Sequence, residues 1–237
     1  MSRGAYLLQL GRVPYREAWD LQRSLAGAVS QGAIPDTVLF LEHPPVVTLG
    51  RRTDETVELH VPEDAEVDVV ETNRGGRSTY HAPGQLVCYP ILDLRRHGRD
   101  VKRYVRNLEE ALVRTIQAFG LEGRRLEGLT GVWLAPPPRK IASIGVHVAR
   151  WVTTHGYALN VDLDPSPFTD WITACGLEDA SFTTISRETG RPVTVEEVRP
   201  HAAAALADVL ELELEALPSD GATGLWEQPV HSALAAR

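Results

Sequence analysis

Residues Ala5–Val13 form an apolar run of strand length, closed by Pro14, after which the spacing of apolar positions changes. From Pro14 to about Ser30, Ala18, Leu21, Leu25, Ala28 and Val29 recur at the helical period, which predicts an amphipathic helix. Thr37–Leu41 and Val46–Leu49 are β-rich runs split by His43-Pro44-Pro45, a segment that cannot continue a central strand. Val67–Glu71 and Gln85–Leu94 read as strands on either side of a glycine-rich loop. The clearest helix runs from Asp100 to Phe119, with Val101, Tyr104, Val105, Leu108, Leu112 and Phe119 on one face, Asp100 as cap and Gly120 as stop. Further strands are expected at Gly131–Leu134, from Lys140 to about Ala149, and at His155–Leu163. Thr194-Val195-Glu196-Glu197 is a capping-box pattern, and the helix it opens is expected to reach about Leu214. Strands arrive in adjacent pairs, so the expected class is α+β, a mixed or antiparallel sheet flanked by helices. No repeat or linker divides residues 1–217, which read as one unit or as a large and a small lobe. Residues 218–237 read as a peripheral tail.

Composition removes several function classes. The net charge of −8 repels nucleic acid, and no apolar run is long enough to cross a bilayer. Met1-Ser2-Arg3-Gly4-Ala5-Tyr6 opens no secretory signal, so a cytoplasmic setting with reduced thiols is expected. The two cysteines, Cys88 and Cys175, sit in no Cys-x-x-Cys pair, and the eight histidines show no zinc spacing, so neither a disulfide nor a metal is expected. Cys88, inside Leu86-Val87-Cys88-Tyr89, reads as a packed strand residue. Cys175, followed by Gly176 after a Pro-rich turn, suits a thiol exposed at the end of an element, although by itself a packed core thiol is the favoured reading.

The segment richest in chemistry is Arg74-Gly75-Gly76-Arg77-Ser78-Thr79-Tyr80-His81-Ala82-Pro83-Gly84-Gln85. Paired glycines let a ligand approach main-chain N–H groups, although a hairpin with a polar turn would use the same residues. Neither the helix context of a dinucleotide site nor the Lys-Ser/Thr ending of a phosphate loop is present. A strand beginning at Lys140 places Lys140, Ala142, Ile144, Val146 and Val148 on one face and Ser143, Gly145 and His147 on the other. The ammonium would then start on the apolar side, and a register shift of one residue would turn it outward. On the expected helix, Arg99, Lys102, Arg103 and Arg106 lie away from the apolar stripe, and with Arg95 and Arg96 they form a basic face inside an acidic chain.

The segment Arg74 through Gln85 resembles the Arg-Gly-Gly-x-x-Thr-Tyr/Phe-His-Gly-Pro-Gly-Gln pattern of the lipoyl(octanoyl) transferases, with Ala82 in place of a Gly. Gly131-Val132-Trp133, Lys140 through Gly145, His155 through Val161, Ser166-Pro167-Phe168 and Ala174-Cys175-Gly176 match in the same order, and the resemblance covers roughly residues 5 to 215. It implies a fold like that of biotin and lipoate protein ligases. It also implies transfer of an octanoyl or lipoyl group from acyl carrier protein to a lysine of lipoyl domains, with no cofactor. The acceptors it implies are the lipoyl domains of 2-oxoacid dehydrogenase complexes and the glycine cleavage H protein; an ATP-dependent lipoate or biotin ligase is the alternative.

The resemblance implies that Cys175 takes the acyl group and that Lys140 activates it as proton partner. It places the substrates against Arg74, Gly75, Gly76, Arg77, Ser78, Thr79, Tyr80 and His81, against Ser143, Ile144 and Gly145, and against Gly156, Tyr157 and Ala158. His81 is the rival base for the thiol, because a Cys–His pair is the commoner arrangement. The basic helix face is a candidate docking surface for an acidic carrier protein.

Overall fold

A computed structural model describes residues 3–172 and 181–217. The first strand, β1 (Arg3–Arg12), passes through Pro14 into α1 (Tyr15–Gln31), whose buried residues include Ala18, Leu21, Leu25, Ala28 and Val29. These are the stripe expected from their spacing. β2 (Asp36–Glu42) is buried almost throughout. Beyond His43-Pro44-Pro45 the chain leaves that sheet, and β3 (Val46–Leu49) belongs to a second one. There follow α2 (Glu55–Glu58), β4 (Asp68–Glu71), β5 (Thr79–His81) and β6 (Gln85–Ile91). α3 (Val101–Gln117) is capped by the Asp100 side chain, and the chain turns at Gly120 with φ of 76°.

The second half contains β7 (Arg124–Leu126), β8 (Leu129–Leu134), β9 (Arg139–Ala149), β10 (Val152–Asn160) and α4 (Pro167–Asp170). After residues 173–180 come β11 (Ser181–Phe182), α5 (Ile185–Thr189), α6 (Val195–Leu210) and β12 (Leu212–Leu217). The Thr194–Glu197 capping box is formed as expected. The helix it opens does not reach Leu214. It stops at Leu210, where Glu211 turns left-handed with φ of 55°, and Leu212–Leu217 pairs parallel with β1. The alternation Leu-Glu-Leu-Glu suits a sheet edge, and that pairing overrides the helical continuation.

The large sheet has the order β12-β1-β2-β6-β10-β9-β8-β7, with β11 added parallel to β9. Pairing is parallel among β12, β1 and β2 and antiparallel from β2 onward, so the sheet is mixed as expected. Both faces are covered. Leu86 and Cys88 of β6 join the core under α3 and α6, while Val87, Tyr89 and Ile91 join the core under α1. The small sheet, in order β4-β3-β5, lies over a third apolar cluster that includes Val47, Leu49, Tyr80, Trp133 and Phe168. β4 and β5 both pair with β3, so the glycine-rich loop is not the turn of a hairpin. It arches across the end of β3 from one edge of the small sheet to the other. No described helix is long and apolar enough to cross a membrane.

Candidate active site

The arching loop is held from within by Arg74. Its Nη2 donates to the Thr48 carbonyl (2.6 Å) and hydroxyl (2.8 Å), its Nε to the same hydroxyl (3.2 Å), and its Nη1 to the carbonyls of Gly75 (3.2 Å) and Arg77 (2.8 Å). A guanidinium has five N–H donors in a fixed fork, and here that fork is aimed at the chain itself. Burial of this charge is tolerable because it is so fully hydrogen-bonded. The Gly75 N–H donates to the Val146 carbonyl (2.9 Å), which lays the loop along the outer edge of β9. Gly145 lies directly beneath. A Cβ there would come within 2.9 Å of the Gly75 carbonyl oxygen and 3.1 Å of Arg74 Cδ, so the close approach requires glycine.

Lys140 reaches the site through an irregularity that simple alternation does not contain. Val132 pairs with Ala142 but Trp133 pairs with Lys140, so Ile141 is one residue extra on β9. The bulge reverses the parity expected from the sequence. Ala142, Ile144, Val146 and Val148 face the core under α3 and α6, whereas Lys140 falls on the opposite face with Ser143 and Gly145. The ammonium is therefore not on the apolar side of the strand. It is nonetheless 5 % exposed, with Nζ 5.1 Å from the centre of the Trp133 ring, within cation–π range. Gly131, at φ of 118°, makes the room: a Cβ there would stand 2.5 Å from the Ala142 carbonyl oxygen and 2.9 Å from Lys140 Cε.

Between β9, β10 and β6 on one side and the glycine-rich loop, β5 and the start of α1 on the other lies a cavity of 210 Å³. Of the residues expected at a substrate site, Arg74, Gly76, Arg77, Ser78, Thr79, His81, Lys140, Ser143, Ile144, Gly145, Gly156, Tyr157 and Ala158 line it. Ile144 and Tyr157 border it although their side chains pack into the α3–α6 core. Gly75 and Tyr80 do not line it. Gly75 is taken up by the edge of β9. Tyr80, alternating with Thr79 and His81 on β5, points away and meets Phe168 and Trp171 at ring distances of 5.7 and 5.5 Å. Cys175 and its neighbours Ala174 and Gly176 lie outside the described residues, as does the tail from Pro218. The flanks of that cysteine segment are anchored: Ile172 bridges Leu59, and Ser181 and Phe182 pair with Arg139 and Lys140.

Tyr15, Arg52, Tyr89, Gly128, Leu129 and Thr130 also line the cavity and are not expected from the sequence, and Trp133 and His155, expected only as parts of longer motifs, line it too. Tyr15 and Tyr89 sit in apolar patterns that read as core, and only the stacking of α1 on β6 and β10 brings them here. The Ala82 departure has no backbone cost, because the positive-φ positions of this turn are Gly76 and Gly84, not Ala82. Cys88 is fully buried, and burial pushes its thiol well above the ordinary range.

His81 is not free to act as a base. Asn160 Nδ2 donates to the Thr183 carbonyl (3.1 Å), which turns Asn160 Oδ1 toward Gln85 Nε2 (2.9 Å), and this in turn presents Gln85 Oε1 to His81 Nδ1 (2.7 Å). The imidazole therefore carries its proton on Nδ1, and Nε2 accepts from the Thr48 hydroxyl at 3.4 Å, the oxygen that Arg74 also holds. The chain of bonds closes on the site, since the Thr183 N–H donates to the Lys140 carbonyl (3.0 Å). Burial, reinforced by His43, holds the His81 pKa well below the ordinary value. His43 and His155 behind it are also pushed down by burial, to about 4 and about 3.

A buried lysine, a clamped glycine-rich loop and an adjoining cavity coincide with the motifs that carried the resemblance, and comparison with known proteins decides the family. Residues 14–207 match the family model described as the lipoyl protein ligase A/B catalytic domain. The chain belongs to that family. It is 49 % identical over 208 residues to an octanoyltransferase of Chloroflexus aurantiacus, covering 86 % of this chain and 93 % of that protein. An octanoyltransferase of Mycobacterium tuberculosis is 51 % identical over 205 residues, covering 86 % of each. Among solved structures, a bipartite lipoate protein ligase from Thermoplasma acidophilum superposes with a TM-score of 0.73 at 16 % identity, over 95 % of this chain and 91 % of that one. A biotin protein ligase from Aquifex aeolicus gives 0.51 at 11 % identity, over 88 % and 69 %. The fold is thus the one expected, that of the biotin and lipoate protein ligases.

Proposed function

We propose that this chain is an acyltransferase that moves an octanoyl group, or a lipoyl group, from acyl carrier protein to a lysine of lipoyl domains, through a thioester on Cys175. The similarity to octanoyltransferases near 50 % identity supports the activity. The observation that carries the mechanism is the buried Lys140 ammonium at the cavity wall, paired through its backbone to Phe182, where the cysteine-bearing segment rejoins the sheet. Cys175 stands three positions after Ile172 in the sequence and seven before Phe182.

A thiolate is both a good nucleophile toward a thioester and a good leaving group. A free thiol has a pKa of ~8.5, and a neighbouring cation lowers it toward ~3.5–7.5; Lys140 is that cation. The Cys175 thiolate attacks the octanoyl carbonyl, the carrier thiolate leaves and takes a proton from the Lys140 ammonium, and octanoyl-Cys175 and a neutral Lys140 amine remain. The acceptor lysine then attacks that carbonyl as a neutral amine, Lys140 relays the proton it loses, and the Cys175 thiolate departs. Backbone N–H groups around Gly76–Ser78 or Cys175–Gly176 stabilise the oxyanion, each such donor contributing ~2.7–4 kcal/mol. No nucleotide enters, since a thioester is already activated relative to an amide. A cytoplasmic setting keeps the thiol reduced. The acceptors are the lipoyl domains of 2-oxoacid dehydrogenase complexes and the glycine cleavage H protein, and residues 1–217 act as one catalytic unit.

Intact-mass spectrometry after incubation with octanoyl-carrier protein and no ATP tests the reading. Wild type gains one octanoyl group, Cys175→Ala gains none, and Lys140→Ala acylates roughly 10²–10⁴-fold more slowly. Full transfer by Cys175→Ala, or transfer only when ATP is supplied, overturns it; the second outcome would make the chain a ligase.

A further inference from the structure

The basic face expected on α3 is half neutralised. Arg95 chelates Asp93 (2.8 Å), Arg96 pairs with Asp36 (2.6 Å), and Arg106 pairs with Glu109 (3.3 Å). Arg99, Lys102 and Arg103 are exposed and have no acidic partner among the described residues, Asp100 being engaged as the cap of α3. The structure adds two residues to them. Ala149 pairs with Val152, so Arg150 and Trp151 form a two-residue hairpin turn at the tip of β9 and β10. Leu94 joins the two groups, since its N–H donates to the Trp151 carbonyl (2.7 Å) and its carbonyl accepts from the Arg99 N–H (2.8 Å). The Arg103 guanidinium reaches back over Gly98, 3.8 Å from where a Cβ would stand there.

The choice of residues at this turn is costly for folding. Arg150 and Trp151 both have positive φ, 51° and 70°, as does Arg99 at 52°. Such a turn is normally Asn-Gly or Asp-Gly, because side chains with a Cβ are strained there. Trp151 is also 40 % exposed, among the few large apolar side chains left in solvent. An exposed tryptophan next to Arg150 in the chain, and joined through the Leu94 backbone to Arg99, has the composition enriched at energetically dominant interface positions.

We propose that Trp151 and Arg150, with Arg99 and Arg103, form the docking surface for an acidic carrier protein that brings its acyl thioester on a long flexible arm. The proposal rests on the transferase reading above. Distance selects the donor over the acceptor. Gly156, at the cavity, is five residues along β10 from Trp151, about 17 Å at strand rise. A flexible arm spans that gap, whereas the four-carbon stem of an acceptor lysine does not.

Equilibrium binding of the carrier protein is measured without turnover, alongside transfer from carrier-bound octanoate and from octanoyl-N-acetylcysteamine to a lipoyl domain. Two variants of the full chain are used, Arg99→Glu with Arg103→Glu, and Arg150→Asn with Trp151→Gly. Carrier binding weakens roughly tenfold or more at low salt in both, and for the charge-reversal pair the loss shrinks as salt is added. KM for carrier-bound octanoate rises, while that for the small thioester and for the lipoyl domain is unchanged. Arg150→Asn with Trp151→Gly melts no lower than wild type, which separates lost docking from lost folding. Unchanged carrier binding, or a raised KM for the lipoyl domain instead, overturns the proposal. Carrier binding that responds as expected in a protein that transfers from neither donor overturns the transferase reading and leaves the docking surface standing.

Discussion

His43, His81 and His155 are buried as neutral rings, each hydrogen-bonded through a defined nitrogen. His43 Nδ1 donates to the Val13 carbonyl (2.6 Å) and its Nε2 accepts from the Tyr89 hydroxyl (2.8 Å). His155 Nε2 donates to Asn73 (2.8 Å) and its Nδ1 accepts from the Tyr15 hydroxyl (3.3 Å). Their folded pKa values lie below the ordinary 6.5, to about 4 for His43 and about 3 for His155, because burial penalises the imidazolium. Below pH 6.5 the unfolded chain therefore binds protons that the folded chain does not. Their contribution is complete above that pH and is lost as pH falls toward 4 and then 3. Each ring adds a slope of up to roughly 1.4 kcal/mol per pH unit in that window. Urea unfolding at pH 7.0, 5.5 and 4.5 is expected to show falling stability, and His43→Gln, already less stable at pH 7, is expected to show a shallower fall. An equally steep fall in His43→Gln would remove His43 from the account. At this scale the sequence placed His81 among the pocket residues, with a base as its rival role; the hydrogen bonds through Gln85, Asn160 and Thr183 that fix its tautomer join residues far apart in the chain and left no mark in the sequence.

β9 shows how one residue of register moves Lys140, the proposed proton partner, from one face of the strand to the other. The strand, its length and its apolar alternation were all legible from Lys140 to Ala149. The bulge at Ile141 was not, because it arises from pairing with β8 and leaves no mark in the period-two pattern. The same limit applies to Leu212–Leu217, where pairing with β1 decided between helix and strand. The contact between the glycine-rich loop and β9 can be tested directly. Gly145→Ala puts a methyl within 2.9 Å of the Gly75 carbonyl oxygen, and the obstruction is backbone, so the loop must move. Small-to-large changes in tight packing cost ~1–3 kcal/mol. The expected outcome is a modest fall in melting temperature with a disproportionate loss of kcat/KM, since displacing positioned groups by ~1 Å can cost ~10²-fold. Activity that falls only in step with the folded fraction would mean that loop position does not matter to catalysis.

The two layers of the molecule divide labour. α3 and α6 cover the face of the large sheet opposite the cavity, with Leu108 fully buried between them and the sheet. Leu108→Ala is expected to cost ~2–5 kcal/mol, read by chemical denaturation, while kcat per folded molecule stays near wild type. A large drop in kcat at full folding would show that the back layer tunes the site. Cavity, loop and α1 occupy the other face, and the cavity lies between residues distant in the chain, from Tyr15 to Ala158. By itself the sequence determined the α+β class, the three long helices, most of the strands, the glycine-rich segment and the family, and it singled out Lys140 as a candidate, because periodicity, caps and motifs are properties of neighbours along the chain. The tertiary structure decided which face Lys140 occupies, that Arg74 holds the loop through its own chain, that His81 is locked neutral, and that Arg95, Arg96 and Arg106 of the basic face are neutralised by acidic partners. Each of those depends on groups brought together across the sheet, where strand pairing, burial and charge neutralisation act between residues whose spacing in the sequence carries no signal.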